Sequence, residues 1–211
     1  MRTDLIMDFE TLGQNAQKVP ALDCAYTTFV WERFLDEPYS FNELIASINK
    51  TKLSVEDQVK NYGAKYTQDD LKFWEQQPKE VRKHIAPSQD DVSVHQFIAT
   101  IIDYLKHAEK IEYWWSRSNT FDPIIMWRLA QHVDQDLLLN EYLKFWRVRD
   151  IRTYVDAKFN FTTRNGFIPV ADETWWNENF SAHDSIHDVA ADILRLQTIH
   201  RAENDLEQVE R

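Results

Sequence analysis

The sequence predicts an α/β fold: a mixed sheet, antiparallel in its first half and parallel in its second, flanked by helices. Three observations predict it. Short β-rich runs open the chain at 4–10 and 21–31, a strongly amphipathic helix occupies 90–110, and strand-like and helix-like segments alternate from there on. With 211 residues, 43% hydrophobic and 13% aromatic, the chain can bury most of the apolar surface of one domain, so 1–211 is read as a single domain.

In chain order, DLIMDFE (4–10) reads as a strand and Gly13 supplies the turn after it. ALDCAYTTFVW (21–31) alternates and is rich in β-formers, and SFNELIASIN (40–49) is read as the third strand of an antiparallel meander, despite some helical periodicity. From Leu53 to Pro87 the pattern changes to short helices, started by Ser54, Thr67 and Pro78 and stopped by Gly63, Gln77-Pro78 and Pro87. This is a helical insertion at about 53–87. In the helix over 90–110, Val94, Phe97, Ile98, Ile101, Ile102 and Leu105 recur at helical spacing. IEYWWSRS (111–118) then reads as a strand, FDPIIMWRLAQHV (121–133) as a helix with Pro in its first turn, and YLKFWRVRDIRT (142–153) as a strand running into a loop. HDSIHDVAADILRLQTIHRA (183–202) closes the fold as a helix, ahead of a charged tail expected to fray. Residues 158–180 have no clear period and are read as a long loop near the site, docked by Trp175 and Trp176.

Composition excludes several function classes. A net charge of −11 argues against holding nucleic acid mainly by a broad basic surface, because such binding needs Lys and Arg to displace phosphate counterions. It does not exclude an enzyme whose clustered carboxylates hold cations that a phosphate then meets. Three glycines (Gly13, Gly63 and Gly166) cannot build a P-loop or a dinucleotide fingerprint. One cysteine, Cys24, rules out an internal disulfide or a multi-cysteine zinc site and reads as a buried, inert thiol. No run approaches the roughly 20 apolar residues of a membrane span, and acidic Asp4 and Asp8 spoil any secretory signal, so a cytoplasmic protein without membrane contact is expected.

Asp8 and Glu10 pose the chemical question. Residues two apart on a strand point the same way, so two carboxylates project together among Leu5, Ile6, Met7 and Phe9. Anions held that close repel unless a cation sits between them, and a divalent metal is the economical answer; an exposed edge with two solvated acids is the plainer one. Asp122 lies where a strand gives way to a helix and reads equally as a helix cap. Asp188 sits near the start of the last helix, where acids suit the macrodipole in any case. Asp150 is read as a partner of Arg149 or Arg152. His183 and Asp188 are five apart, about 140° on a continuous helix, so they can aim at one point only if His183 precedes the helix, with Asp184 or Ser185 as its cap.

Taken together, strand-borne D-x-E (Asp8, Glu10), an Asp after a later strand (Asp122) and a terminal H-x4-D (His183, Asp188) resemble the three motifs of the His-containing DEDD exonucleases (DEDDh), which have an RNase H-like fold. The stretches MDFETLG, LKFWEQQPKEVRKHIAPS, FWRVRDIRT and AHDSIHDVAADIL further resemble the exodeoxyribonuclease family of T-even phages, so the likeness covers nearly the whole chain. The resemblance implies a 3′-5′ exonuclease that releases nucleoside 5′-monophosphates with two Mg2+ or Mn2+ ions and serves phage nucleic-acid turnover in the host cytoplasm. It implies that Asp8 bridges both ions, that Glu10 and Asp188 complete the site of one and Asp122 supports the other, and that His183 takes a proton from the attacking water. Carboxylate oxygens suit hard Mg2+, and an imidazole near neutrality suits a general base.

The same resemblance implies single-stranded or frayed DNA 3′ ends as partner, met by the turn Thr11-Leu12-Gly13 with Leu12 as a wedge, and relatives of this kind often dimerise. Trp74 is read either as a stacking face for a base or as a core residue, and Arg117, Arg149, Arg152 and Arg164 as phosphate contacts or as ordinary paired charges. His187 is read as a helix-surface residue. Other readings are a 3′-5′ exoribonuclease of the same fold and a catalytically silent nucleic-acid-binding module. An HD-type phosphohydrolase, suggested by HDSIHD, is opposed by the strand-borne D-x-E, and a zinc site on His183 and His187 lacks a third ligand.

Overall fold

The computed structural model describes residues 1–160, 163, 166–168 and 180–209. Its sheet has the strands β1 (Thr3–Thr11), β2 (Ala21–Val30), β3 (Asn49–Lys52), β4 (Ile111–Ser116) and β5 (Val148–Asp150) in the order β3-β2-β1-β4-β5. β1 pairs antiparallel with β2, and β2 with β3, whereas β4 runs parallel to β1 and β5 parallel to β4. The mixed sheet follows the predicted plan.

Both faces of β1 are covered, which is why it reads as an almost continuous apolar run. Leu5, Met7 and Phe9 enter a core with Phe97, Ile98 and Ile101 of helix α6 (Val94–His107) and Ile125 and Met126 of α7 (Asp122–His132). Ile6 enters a second core on the other face, with Val189, Ile193 and Leu196 of the last helix, Ser185–Val209. Asp4, Asp8 and Glu10 share that second face by the period of two.

The insertion follows its caps. Ser54 accepts from the Asp57 N–H at 3.1 Å to start Val55–Tyr62, and Gly63, at φ +68°, ends it. Thr67 and Asp70 form a reciprocal capping box for Gln68–Glu75, and Pro78 precedes Lys79–Ile85. With Arg33–Asp36 as α1 and Phe41–Ser47 as α2, these three are α3, α4 and α5. The α4 helix packs on the turn after β1: at Gly13, φ +127°, a Cβ would lie 2.8 Å from Val19 Cγ1 and 2.9 Å from Asp70 Oδ1, so only glycine fits.

Several elements differ from expectation. Residues 40–49 do not form a strand: Ser40 caps α2 by accepting from the Glu43 N–H, Phe41 and Leu44 bury one helical face, and the strand β3 begins only at Asn49. The expected strand over 142–153 is broken into the end of α8 (Asp136–Tyr142), a 3-10 turn (Phe145–Arg147), the three residues of β5, and α9 (Ile151–Lys158). Asp150 is the reason. Its carboxylate accepts from the Thr153 N–H at 2.7 Å and starts a helix where the β-rich composition suggested extension; the same side chain accepts from Asn119 N at 2.9 Å, so it caps rather than pairs with Arg149 or Arg152. The last helix, α10 (Ser185–Val209), starts after His183, as its geometry required, and continues into the charged tail expected to fray. Trp175, Trp176 and Arg164 lie outside the described residues.

Candidate active site

Packing of α10 across β1 and β2 brings three carboxylates together. Asp8 and Glu10 project from the C-terminal half of β1, Asp188 from the first turn of α10, and one oxygen of each lies within 4.8 Å of the others. Asp122 arrives from the far side, as the first residue of α7 just past β4, and its Oδ1 accepts the Phe9 backbone N–H at 3.0 Å. That bond lies on the strand between the two acids. The helix-cap reading of Asp122 does not hold: Phe121 occupies the cap position without a side-chain bond, and the Asp122 carboxylate turns to β1 instead.

Electrostatics identify the cluster as under-compensated. Burial, then Asp122, Glu10 and Asp188, drive the Asp8 carboxyl well above its ordinary range. Burial, then Asp188 and Asp23, do the same to Glu10, with Lys50 pulling back. Burial pushes Asp122 up to about 7 against the Phe9 N–H and Arg152, and pushes Asp188 to about 7, with Asp192 adding and Arg117 and Arg195 opposing. Among the described residues no N–H or O–H donates to the Asp8 or Glu10 carboxylate. The donor set is all hard oxygen, converging and short of positive charge, and it fits a divalent cation of the Mg2+ or Mn2+ kind.

His183 precedes the helix in the left-handed region at φ +63°, a conformation a non-glycine residue adopts only when its surroundings impose it. Its backbone N–H donates to Asp188 Oδ2 at 3.1 Å, so the loop and the carboxylate position one another. The imidazole stands edge-on to Phe73 at 5.3 Å and Trp74 at 6.1 Å, and burial lowers its pKa. His187 is not a plain surface residue: its Nδ1 accepts from the Ser181 N–H at 3.0 Å and its ring packs edge-on to Phe41, which ties down the loop before α10.

The substrate-side expectations divide. Trp74 is 5% exposed, packs with Leu12, Leu22 and Val81, and donates its indole N–H to the Thr11 carbonyl at 3.0 Å. It is a core residue that braces the turn after β1, not an open stacking face. Leu12 is buried in the same cluster, so its side chain is not presented as a wedge. The aromatic face left open here belongs to Phe73, 43% exposed. Arg117 is paired, donating to Asp192 Oδ1 at 2.6 Å alongside Arg195, while the Arg149 guanidinium lies over Tyr113.

A supporting network was not anticipated from the sequence. Asp23, directly opposite Glu10 across β1 and β2, accepts from Ser185 Oγ at 2.6 Å and lies 3.1 Å from Lys50 Nζ, which also reaches Asp184 at 3.2 Å. The group joins β2, β3 and the start of α10 beneath the carboxylates. Only an Asp in mid-strand hinted at it.

The chain matches the family model described as "3'-5' exoribonuclease Rv2179c-like domain" over residues 3–199. It belongs to that exonuclease family. The Enterobacteria phage T4 exodeoxyribonuclease is 34% identical over 210 residues, 92% of this chain and 87% of the phage protein. Among solved structures, E. coli exonuclease I in complex with a dT13 oligonucleotide superimposes with a TM-score of 0.63 at 15% identity, over 99% of this chain and 43% of that chain. Exonuclease I from Methylocaldum szegediense gives 0.60 at 14%, over 98% of this chain and 42% of that one. The chain therefore spans less than half the length of these two exonuclease I chains, and the likeness to them is one of fold. The exonuclease resemblance drawn from the motifs agrees with the family.

Proposed function

We propose that this member of the exonuclease family is one domain that acts as a metal-dependent 3′-5′ exodeoxyribonuclease, releasing nucleoside 5′-monophosphates. The observation that carries the reading is the convergence of Asp8, Glu10 and Asp188 within 4.8 Å with no donor to the strand acids among the described residues. In this reading Asp8, Glu10, Asp122 and Asp188 hold two Mg2+ or Mn2+ ions. Bound there, such ions cancel the anionic repulsion and stabilise attacking and leaving oxygens alike. His183, kept neutral by its lowered pKa, accepts the proton of the attacking water as the new P–O bond forms and the bond to O3′ breaks. The backbone of Thr11, Leu12 and Gly13, braced by Trp74, meets the terminal nucleotide, and Phe73 offers the stacking face beside His183.

DNA is favoured as substrate by the name of the phage relative, and a role in phage nucleic-acid turnover in the host cytoplasm goes with it; a homodimer is compatible with this reading. The family description, which names an exoribonuclease, supports RNA as the second reading. The test is digestion of matched 3′-labelled single-stranded DNA and RNA with Mg2+. Expected is terminal mononucleotide release, faster from DNA and abolished by EDTA. Faster release from RNA supports the second reading, and binding with no cleavage of either overturns both in favour of a silent binding module.

A further inference from the structure

We propose a second nucleic-acid contact, a basic and aromatic groove at the N-terminal ends of β4 and β5 that holds the single strand upstream of its cleaved end. It rests on the exonuclease reading and gives that reading a dependence on substrate length.

The groove, about 370 Å3 in volume, is lined by Lys110, Glu112, Tyr113, Trp146, Arg147 and Arg149. Lys144 adds a further cation, its ammonium 5.9 Å from the Trp146 ring. Four cations against one acid reverse locally the sign of a chain whose net charge is −11. Trp146 is 59% and Phe145 69% exposed, and their rings stand nearly perpendicular at 5.0 Å. Adjacent exposed aromatics on the rim of a charged groove are the composition of a binding surface rather than of a solvated one.

The platform is also held in place. Arg147 Nη1 donates to the Ile111 carbonyl at 3.0 Å, and Arg149 Nη1 donates to the Trp146 and Val148 carbonyls at 3.1 and 2.8 Å. The Arg149 guanidinium lies 3.9 Å from the centre of the Tyr113 ring. Backbone pinned by its own arginines presents Phe145 and Trp146 with little ordering left to do on binding. Cations spaced among open aromatic faces suit a polynucleotide strand, whose phosphates meet the charges and whose bases stack on the rings. An acidic peptide would use the cations and leave the rings idle.

Position relates the groove to the carboxylates. The Tyr113 N–H donates to Asp4 at 3.2 Å, and Asp8 lies four residues further along β1, about 13 Å at the rise of a strand. β5 is an edge strand, with no partner on its outer side among the described residues. Arg152, exposed in the first turn of α9, exerts its charge on Asp122 and marks the near end of the path. A strand with its 3′ end at the carboxylates and its body along β5 passes Arg152, then Arg149 and Trp146.

The test uses Trp146→Ala, Trp146→Phe and Lys144→Glu in the full chain, all outside the proposed catalytic set. Binding of 5′-labelled single-stranded DNA of about 20 and about 4 nucleotides is read by fluorescence anisotropy in EDTA, and kcat and KM in Mg2+. Trp146→Ala is expected to weaken binding of the longer strand about tenfold and raise its KM by the same factor. Its kcat, its melting temperature and its action on the short strand stay unchanged, and Trp146→Phe retains the affinity. Lys144→Glu is expected to lower the slope of log affinity against log salt by at least about 0.7. Wild-type affinity for the longer strand in both Trp146→Ala and Lys144→Glu overturns the groove, as does an equal loss on both lengths. A wild-type protein that releases no nucleotide from either length refutes the exonuclease reading instead, and anisotropy still decides the groove.

Discussion

Asp4 and Asp8 are carboxylates on one strand, four residues apart and on the same face, and they are treated in opposite ways. Asp4, fully buried, accepts from Arg2 Nη2 at 2.6 Å, from the indole N–H groups of Trp31 at 2.6 Å and Trp115 at 2.7 Å, and from the Tyr113 N–H at 3.2 Å. Asp8 is surrounded by Asp122, Glu10 and Asp188, with no donor among the described residues. The difference separates a structural buried charge, satisfied by the fold, from one that the fold leaves for something else to satisfy. Asp8 is also the more open of the two, half-buried where Asp4 is fully buried.

Replacing each acid with its amide is the most direct way to break that comparison. Asp8→Asn is expected to reduce mononucleotide release by about a thousandfold or more, the scale for removing a preorganised charge from a reacting centre. The same change should raise the stability of the metal-free protein by about 1 kcal/mol, since it removes a repelling anion. Asp4→Asn should do the reverse, costing about 1–3 kcal/mol because half-buried Arg2 loses its counter-charge and the buried indole donors are left with one acceptor oxygen in place of two. Denaturant melts of both variants in EDTA check this, and a common sign would mean that the two acids do not differ as described.

His183→Ala sharpens the assignment on the Asp8 side. A fall in rate of about a hundredfold or more with divalent-ion uptake unchanged by titration calorimetry is expected of a general base. Loss of uptake would make His183 a ligand.

The pH dependence of the metal-free protein follows from the raised carboxyls. Asp122 and Asp188 titrate at about 7 in the fold against an ordinary 3.8, so the native state keeps protons that the unfolded chain releases. The stability they contribute is complete below about pH 4 and is lost as pH rises toward and through about 7. Melting temperatures in EDTA should therefore fall over that window, and added Mg2+ should cancel the fall; no change with Mg2+ would leave the cluster unexplained. The smallest effect expected is that of Trp74→Phe, about 1 kcal/mol for its bond to the Thr11 carbonyl, read as a lower melting point with a modest loss of turnover.

What could be read in advance was local. Ser54 and Thr67 announced helices because a cap is a relation between residues three apart. The five-residue gap between His183 and Asp188 required a break before α10, and the structure has one at φ +63°. Asp8 and Glu10 shared a face because strand geometry allows nothing else. Where an element was short, competing local signals defeated the reading: Ser40 turned an expected strand into α2, and Asp150 turned another into α9. Trp74 carried two readings in sequence, of which a core residue was the more ordinary, and its contact with Thr11 chose between them.

The sequence by itself determined the alternation of strands and helices and the pairing of two carboxylates on β1, because both depend on periods of a few residues. Only the tertiary structure decided which acids stay uncompensated. Asp4 has its donors and Asp8 its repelling neighbours through partners more than a hundred residues away in the chain, Trp115 and Asp122, and proximity of that kind is created when α7 and α10 close on opposite faces of one strand.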